Sequence, residues 1–480
     1  MEEKKEGPKR PSAAGAASAY GAPFINKGES PQRPLFKDVT KQEEEQKLIA
    51  ILKSDGPGFD KDVACRRLAV IATQEAVPAL AALLADEGLC DSARYALEAI
   101  PDPSVDTELR AAMAKLKGRL LIGVINSIGI RRDARAVDAL VKRLGDADAG
   151  VAAAAAAALG KIAGPNATNA LVQALAGDPA VVRPAVGDAL LAIADALLAA
   201  GKRDEAAAMF DKVRGAQVPK PLALGATRGA ILARQSDGVP LLVEQFKSGD
   251  WDVLDMALRL VREMPESDVT RALADPTLVS GLSPEKRILL LRALGDRRDA
   301  AALPTVLEAA RSGDAKVRVA ALQAVAQIGD ATAIPALFGN ALDPDAVVAA
   351  AAQASLVGIP NTNAKVNDAV IARIADKDPK VRRVAIETVG KRQTLAAVAP
   401  LVKAADDSDA QIRVVVLKAL TEIALVHRGE AAAKSEAKKA ALALADKLAQ
   451  SNPTEAAEAK KKLTEPLVKD GPVPMTSPGL

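Results

Sequence analysis

The chain has 480 residues, so its length predicts either several domains or an array whose core grows with each added repeat. Hydrophobic residues make up 49% of it and aromatic residues only 2%, a composition rich in Ala, Leu and Val that favours helices. The 64 Lys and Arg residues nearly balance the 61 Asp and Glu residues, and a net charge of +3 argues against a protein built mainly to neutralise nucleic-acid phosphates. No apolar run reaches membrane-spanning length, so no membrane span is predicted.

The amino-terminal segment, residues 1–39, combines Pro, Gly, Ser and Ala with scattered charges and lacks hydrophobic periodicity, which predicts a disordered arm. Four large apolar side chains are nevertheless spaced through it: Tyr20, Phe24, Leu35 and Phe36. Apolar anchors have little structural reason to occur in a solvated tail, so we expect these four to contact a partner.

Two features bear on the cellular compartment. The small-residue stretch at 13–22 is too short for the apolar core of a signal peptide, so a cytoplasmic location is expected for the sequence as written. The two cysteines, Cys65 and Cys90, lack CxxC or metal-ligand spacing, which favours two buried free thiols and leaves open a disulfide between them.

An acidic turn recurs from about residue 59 onwards, at intervals of about 30 to 33 residues wherever no repeat is skipped, which is a solenoid period. It occurs as LGDADAGV, LAGDPAVV, RSGDAKVRV, LDPDAVVA, KDPKVRRV and DDSDAQIRV. A second mark, a glycine about 12 residues further on, occurs at Gly160, Gly295, Gly329, Gly358 and Gly390. We interpret the repeat as a first helix, a glycine-marked turn, a second helix and an acidic turn.

The stretch DPKVRRVAIETVG shows what the charged residues of that turn do. Asp378 is predicted to cap the incoming helix, and Pro379 suits a first-turn position where no N–H is needed. An arginine four residues after the capping position is predicted to reach the Asp of the neighbouring turn and to build a ladder along the array. The arginines at or near this position are Arg183, Arg318, Arg382 and Arg413. Because a catalytic group is rarely needed once per repeat, these residues are predicted to be structural.

This pattern resembles the HEAT-repeat family, in which antiparallel helix pairs stack into a right-handed superhelix. The resemblance runs from about residue 60 to residue 427 and is clearest in DAKVRVAALQAVAQIGDATAIPALFGNAL and DPKVRRVAIETVGKRQTLAAVAPLVKAA. The segment ACRRLAVIATQEAVPALAALLAD looks like the Ala-rich HEAT proteins of planctomycete-type and verrucomicrobial-type bacteria. The resemblance implies an all-α solenoid of about 11–12 helical pairs.

The repeat pattern and shifts in composition divide the chain into six predicted segments. They are the arm at 1–39, an N-terminal HEAT-like array at 40–188, a tetratricopeptide-like hairpin at 189–217 that joins two arrays, a C-terminal HEAT-like array at 218–427, polar capping helices at 428–468 and a disordered tail at 469–480. Order is expected to begin at Thr40, which forms a capping box with Glu43.

Motifs that carry chemistry are nearly absent. With His427 as the one histidine, the sequence has no HExxH zinc motif and no multi-histidine site, and it has no GxGxxG, GxxxxGK or GxSxG motif. No catalytic residue, cofactor or metal is predicted. The basic turns IRRDAR, DRRDA and GKRQT share one place in their repeats and leave anion or nucleic-acid binding as a minor alternative, which the scarcity of aromatic stacking platforms disfavours.

The sequence therefore predicts a non-enzymatic scaffold that binds a protein partner along a concave surface lined by the second helices. Exposed positions on those helices give the candidate contacts Lys142, Arg143, Glu244, Lys247, Glu308, Arg311 and Lys403. Their mixed charge favours a reversible, polar interface. Two alternatives remain: an accessory subunit of a separately encoded enzyme or electron carrier, and a HEAT-type lyase or DNA-glycosylase-like enzyme.

Overall fold

The structure, a computed structural model, describes residues 35–36, 39–177, 180–360, 364–425 and 431–464. Within these ranges all regular structure is helical and no strand occurs, which confirms the predicted all-α solenoid. The described helices include none with the length and apolar character that a membrane crossing requires. His427, Tyr20, Phe24 and the predicted tail at 469–480 lie outside the described residues.

The described chain divides into two compact units. Residues up to Gly201 together with Met209–Ala223 form the N-terminal unit, and Lys202–Ala208 together with the residues from Leu224 onward form the C-terminal unit. The first helices in chain order are α1 (Lys41–Lys53), α2 (Gly58–Ile71), α3 (Val77–Ala82), α4 (Cys90–Ala99), α5 (Pro103–Lys115), α6 (Gly118–Arg131), α7 (Val137–Arg143), α8 (Ala149–Ile162), α9 (Gly164–Ala176) and α10 (Arg183–Ala199).

Two helices, α11 (Arg203–Arg214) and α12 (Lys220–Arg234), contribute residues to both units. The C-terminal unit continues with α13 (Val239–Lys247), α14 (Trp251–Glu263), α15 (Ser267–Leu273), α16 (Pro276–Gly281), α17 (Pro284–Asp296), α18 (Leu303–Ala309), α19 (Ala315–Ile328), α20 (Ile334–Ala341), α21 (Ala346–Gly358), α22 (Ala364–Ile371), α23 (Pro379–Lys391), α24 (Val398–Ala404), α25 (Ala410–Ala424), α26 (Ala431–Leu448) and α27 (Pro453–Thr464).

The helices begin where the sequence places capping residues. Thr40 and Glu43 form the predicted capping box at the start of α1. Asp378 caps α23 by accepting the N–H of Lys380 at 2.8 Å, and Pro379 occupies the first helical position. An aspartate caps α8, α14, α19, α21 and α25 in the same way, so one short motif sets the start of these first helices.

Successive first helices pack side by side within each unit, as α6 does on α8 and α17 on α19. A glycine near the end of one helix makes this approach close. A Cβ placed on Gly390 would lie 2.8 Å from the Cα of Ala419, and one on Gly295 would lie 3.0 Å from the Cα of Ala324. These glycines were predicted to mark a turn, but they lie inside α23 and α17, because what the position requires is room for the neighbouring backbone.

Two predicted special segments are helical. The hairpin at 189–217 consists of the end of α10 and all of α11, with Gly201 between them at a φ of 78°, a value that favours glycine. At the carboxyl end, α26 and α27 both pack against α25 and bury Ala441, Leu444 and Leu463. The roles of these segments as joint and cap, and the six segment boundaries, remain predictions.

Candidate protein-binding surface

The carboxylates of the acidic turns are occupied by backbone groups. In the turn before α23, Asp376 accepts the N–H of Asp378 at 3.1 Å, and Asp378 in turn caps the helix. That N–H and the guanidinium of Arg373 hold the pKa of Asp376 below its usual range. The same two-aspartate arrangement occurs at Asp343 and Asp345. These acids therefore stabilise turns.

The predicted arginine ladder exists at two positions. The guanidinium of Arg318 lies 2.6 Å from the carboxylate of Asp343, and that of Arg382 lies 2.9 Å from the carboxylate of Asp407. Each pair joins one repeat to the acidic turn of the next, and all four side chains are mostly buried. Arg382 also donates to the carbonyl of Asp376 at 3.1 Å, so it closes its own turn as well.

The ladder is not continuous. Arg413 donates to the carbonyl of Asp407 in its own turn at 2.7 Å, and Arg183 donates to the carbonyl of Gly177 at 3.4 Å and to the side chain of Gln217 at 3.2 Å. In α21 the equivalent position is Ala349, four residues after the capping aspartate, and alanine has no group that reaches the next turn. Sequence alone therefore overstated the regularity of the ladder.

The basic turns contain a buried arginine that caps the preceding first helix. Arg392, only 5% exposed, donates to the carbonyls of Leu356, at 2.9 Å, and Val357, at 3.1 Å, and to that of Ile359. It also donates to Asn367 on α22 at 2.8 Å. These carbonyls belong to the end of α21, where a helix leaves its last acceptors without intrahelical partners.

Two further arginines act in the same way. Arg131 donates to the carbonyl of Asp102 at 3.1 Å and to that of Ile100, just after α4, and pairs with Asp106 on α5. Arg297 donates to the carbonyls of Val261 and Met264 at the end of α14, and on the α15 side to the carbonyl of Glu266 at 2.7 Å and the hydroxyl of Thr270 at 2.7 Å. One arginine in each of the three basic turns thus serves as a C-cap of a neighbouring helix. This favours a structural role for the basic turns.

The predicted second-helix contacts share one register. Each second helix concerned begins with a buried apolar residue that follows a 3-10 turn. The residue five positions later is exposed, and this set of positions is called the second-helix row: Lys142 in the N-terminal unit and Glu244, Glu308, Gly339 and Lys403 in the C-terminal unit. The row is charged on α13, α18 and α24 but neutral on α20. Its chemistry varies from repeat to repeat, whereas the aspartate caps recur in the same form.

The remaining predicted contacts differ in accessibility. Lys247 is exposed, and Arg311 is exposed and lies 3.0 Å from the carboxylate of Glu308. Arg143 is only partly exposed, because it pairs with Asp146 at 2.9 Å and donates to the carbonyl of Met113 at 3.3 Å. The structure therefore gives Arg143 a role in holding a turn, which makes it a poor choice for testing binding.

The described part of the arm lies against the first helix. The backbone N–H of Leu35 donates to Glu44 at 2.8 Å, and the ammonium group of Lys47 lies 5.2 Å from the centre of the Phe36 ring. The sequence offered Leu35 and Phe36 as anchors for a partner, a role that stays a prediction. Their contacts here are with their own chain.

Both cysteines are free and buried. Burial raises the pKa of the Cys65 thiol to about 12 and also raises that of Cys90. The disulfide that the sequence left open is thus absent. Three exposed aromatic side chains, Phe59, Tyr95 and Trp251, were not predicted from the sequence as protein contacts. The available signal for Phe59 and Trp251 is their place at the start of a helix, next to an aspartate.

A model of the HEAT-repeat family, described as HEAT repeats, matches residues 107–191 and 276–357. No curated protein matches the chain. Among solved structures, the chain is similar to the karyopherin Kap121p bound to the extreme C-terminus of the protein phosphatase Cdc14p, with a TM-score of 0.50, 11% identity and coverage of 90% of this chain and 55% of that one.

Two further solved structures show lower similarity. Kap121p bound to Pho4p gives a TM-score of 0.46 at 12% identity, over 90% of this chain and 54% of that chain. Yeast importin-beta, Kap95p, gives 0.39 at 15% identity, over 88% of this chain and 67% of that chain. The chain spans about half the length of the Kap121p chains that it matches.

Proposed function

We propose that this chain, a HEAT-repeat solenoid, is a non-enzymatic scaffold that binds a protein partner along the exposed positions of its second helices. The observation that carries the proposal is the contrast between the two sets of charged residues. The recurring Asp and Arg residues are engaged in caps and turns, whereas the second-helix row is exposed and changes from repeat to repeat. A variable surface on a constant framework is how repeat proteins bind extended partners.

The chemistry of the row favours a protein partner over a nucleic acid. Glu244 and Glu308 are exposed in the same register as Lys403, and carboxylates at these positions would repel phosphates. The Kap121p structure with the TM-score of 0.50 was solved with the extreme C-terminus of the protein phosphatase Cdc14p bound, and this is consistent with the proposal by analogy of fold alone. Alternating charge suits a reversible interface with a partner of mixed charge.

The test is a charge reversal with a matched control. One variant carries Lys142→Glu, Lys247→Glu and Lys403→Glu, and the control carries the same reversal at the exposed first-helix residues Lys161, Lys316 and Lys418. Both variants change net charge equally and draw one site from the N-terminal unit and two from the C-terminal unit.

Proteins recovered from native lysate are quantified by mass spectrometry at two salt concentrations. The proposal expects a stoichiometric partner that the second-helix variant recovers at least about tenfold less well than the control, because three rim contacts of about 0.5 kcal/mol each already amount to that factor. Equal recovery by both variants would exclude the second-helix surface.

A further inference from the structure

The first helix of the structure, α1, makes the contacts of a second helix. In three repeats, the fourth residue of a second helix accepts hydrogen bonds from the end of the following first helix: Asp106 from Arg131, Thr270 from Arg297 and Asn367 from Arg392. In α1 the equivalent acceptor is Glu45, the fifth residue of the helix. It accepts the backbone N–H of Thr73, just after the end of α2, at 2.6 Å.

Its helix contacts agree with this assignment. A second helix packs against both the first and the second helix of the next repeat, as α3 packs against α4 and α5, and α1 packs against α2 and α3. Among the described residues, α1 is therefore the second helix of a repeat whose first helix is missing. On the face of α2 where that helix would pack, the described part of the chain places no first helix.

That face contains an open apolar pocket. Asp62 of α2 accepts a hydrogen bond from Ser92 of α4, and since a helix turns about 100° per residue, Asp60 and Arg67 lie on the side away from α4. A pocket of about 280 Å³ opens there between α1 and α2. Its apolar lining is formed by Leu35, Leu48, Ile51, Phe59, Val63 and Ala64. Phe59, at 72% exposed, is the most exposed of the large apolar side chains described.

The chain enters the structure at the rim of this pocket. Glu44 and Arg67 form a two-point ion pair at 2.9 and 2.8 Å, and both side chains are almost fully buried. The backbone N–H of Leu35 donates to the same carboxylate of Glu44, so the chain is fixed on this face of α2 just before α1. Leu35 itself lines the pocket.

We infer that the aromatic segment Tyr20–Phe24 of the same chain docks in this pocket and covers the open face of α2. Phe24 lies eleven residues before Leu35, a length that spans at most about 40 Å, so its ring can reach the pocket. Such a short tether gives an effective concentration on the order of millimolar, which a second copy or a free partner must exceed to compete. The apolar lining complements the two aromatic side chains, the only ones in residues 1–34.

The test is a cross-linking comparison in the full chain. The arm receives Ala22→Cys, which leaves both aromatic anchors intact, and α2 receives either Asp60→Cys at the pocket or Val70→Cys as control. Both positions on α2 are exposed and about 15 Å apart. The native thiols of Cys65 and Cys90 are buried and give little background. A third variant adds Tyr20→Ala and Phe24→Ala to the pocket pair.

The expected result is an intrachain cross-link that forms at least about tenfold faster at position 60 than at position 70, at a rate independent of protein concentration. Removing the two aromatic anchors should reduce the rate at position 60 to that at position 70. Equal rates at the two positions would overturn the inference, since a freely sampling arm predicts them. Cross-linked dimers that increase with concentration would overturn it too, because the occupant would then be a second copy.

Discussion

Replacing Arg392, the buried arginine just after α23, tests whether the basic turns hold the fold together. Arg392→Met keeps the length and apolar stem of the side chain but removes its donors from the carbonyls of Leu356, Val357 and Ile359. Each buried carbonyl that loses its partner costs about 1 kcal/mol or more, and part of this is offset because a charge is no longer buried. The expected loss of unfolding free energy is about 2 to 3 kcal/mol.

The matched control is Arg383→Met, on the same helix. Arg383 is exposed and pairs with Glu387 at 3.1 Å across one helical turn, an arrangement worth only about 0.3 to 0.5 kcal/mol. The loss of unfolding free energy in Arg392→Lys should lie between the losses in Arg392→Met and Arg383→Met, because one ammonium group cannot reach the same set of acceptors.

Two measurements check this prediction. The thermal midpoint of the cooperative unit should fall by roughly 5 to 10 °C in Arg392→Met and by about 1 °C in Arg383→Met. Hydrogen exchange should accelerate in the last turn of α21 in the first variant only, because that turn loses its cap. Midpoints that are equal in the two variants would refute the reasoning.

Three other predictions follow from the packing, thiols and turns. Gly295→Ala should destabilise the protein by about 1 to 3 kcal/mol because its Cβ would meet the backbone of Ala324. Gly339→Ala, in open space on α20, should be neutral or stabilising by up to about 1 kcal/mol. Urea midpoints that change alike in the two variants would contradict this. Cys65 and Cys90 should stay unreactive towards a thiol reagent at pH 8 until the chain unfolds, because burial raises both thiol pKa values; rapid labelling of the native protein would disprove it. The N–H of Asp345 and the guanidinium of Arg318 lower the folded-state pKa of Asp343. The stability that ionised Asp343 contributes is therefore present above its unfolded pKa of about 3.9 and is lost as the pH falls through the folded value. Asp343→Asn should flatten the fall in urea midpoint below about pH 4, and identical pH profiles for the two proteins would speak against this.

The sequence was sufficient for features that depend on neighbouring residues. The aspartate caps, the proline at the start of α23 and the capping box at Thr40 are local, so their spacing alone predicts them. Two ladder pairs, at Arg318 and Arg382, also followed from the repeat, because the repeat itself supplies the distant partner.

The buried capping arginines were beyond sequence reasoning. An arginine in a polar turn is expected to be solvated, and the acceptors of Arg392 lie more than thirty residues earlier in the chain. One signal was available: Arg392 stands two residues after Gly390, and the same position after Gly160 is the apolar Ile162. An arginine at a position that another repeat fills with isoleucine indicates a buried guanidinium with specific partners.

The second-helix surface was predictable in part. Helical periodicity placed Lys142, Glu244 and Lys403 at exposed positions, and they are exposed in the structure. It did not show that Arg143 holds a turn, because the carbonyl of Met113 that it contacts belongs to another repeat. Whether the exposed positions bind a partner is a property of that partner and stays a proposal.

The most direct test of the account measures stability and partner recovery in the same two variants. Arg392→Met should lower the thermal midpoint while recovery per folded molecule stays unchanged. The triple reversal of Lys142, Lys247 and Lys403 should lower recovery at least about tenfold while the melting curve stays unchanged. Stability and partner recovery should separate in this way because the buried arginines hold the fold and the second-helix row binds the partner. If Arg392→Met removes the partner without affecting melting, or if the triple reversal leaves recovery intact, the central claim is contradicted.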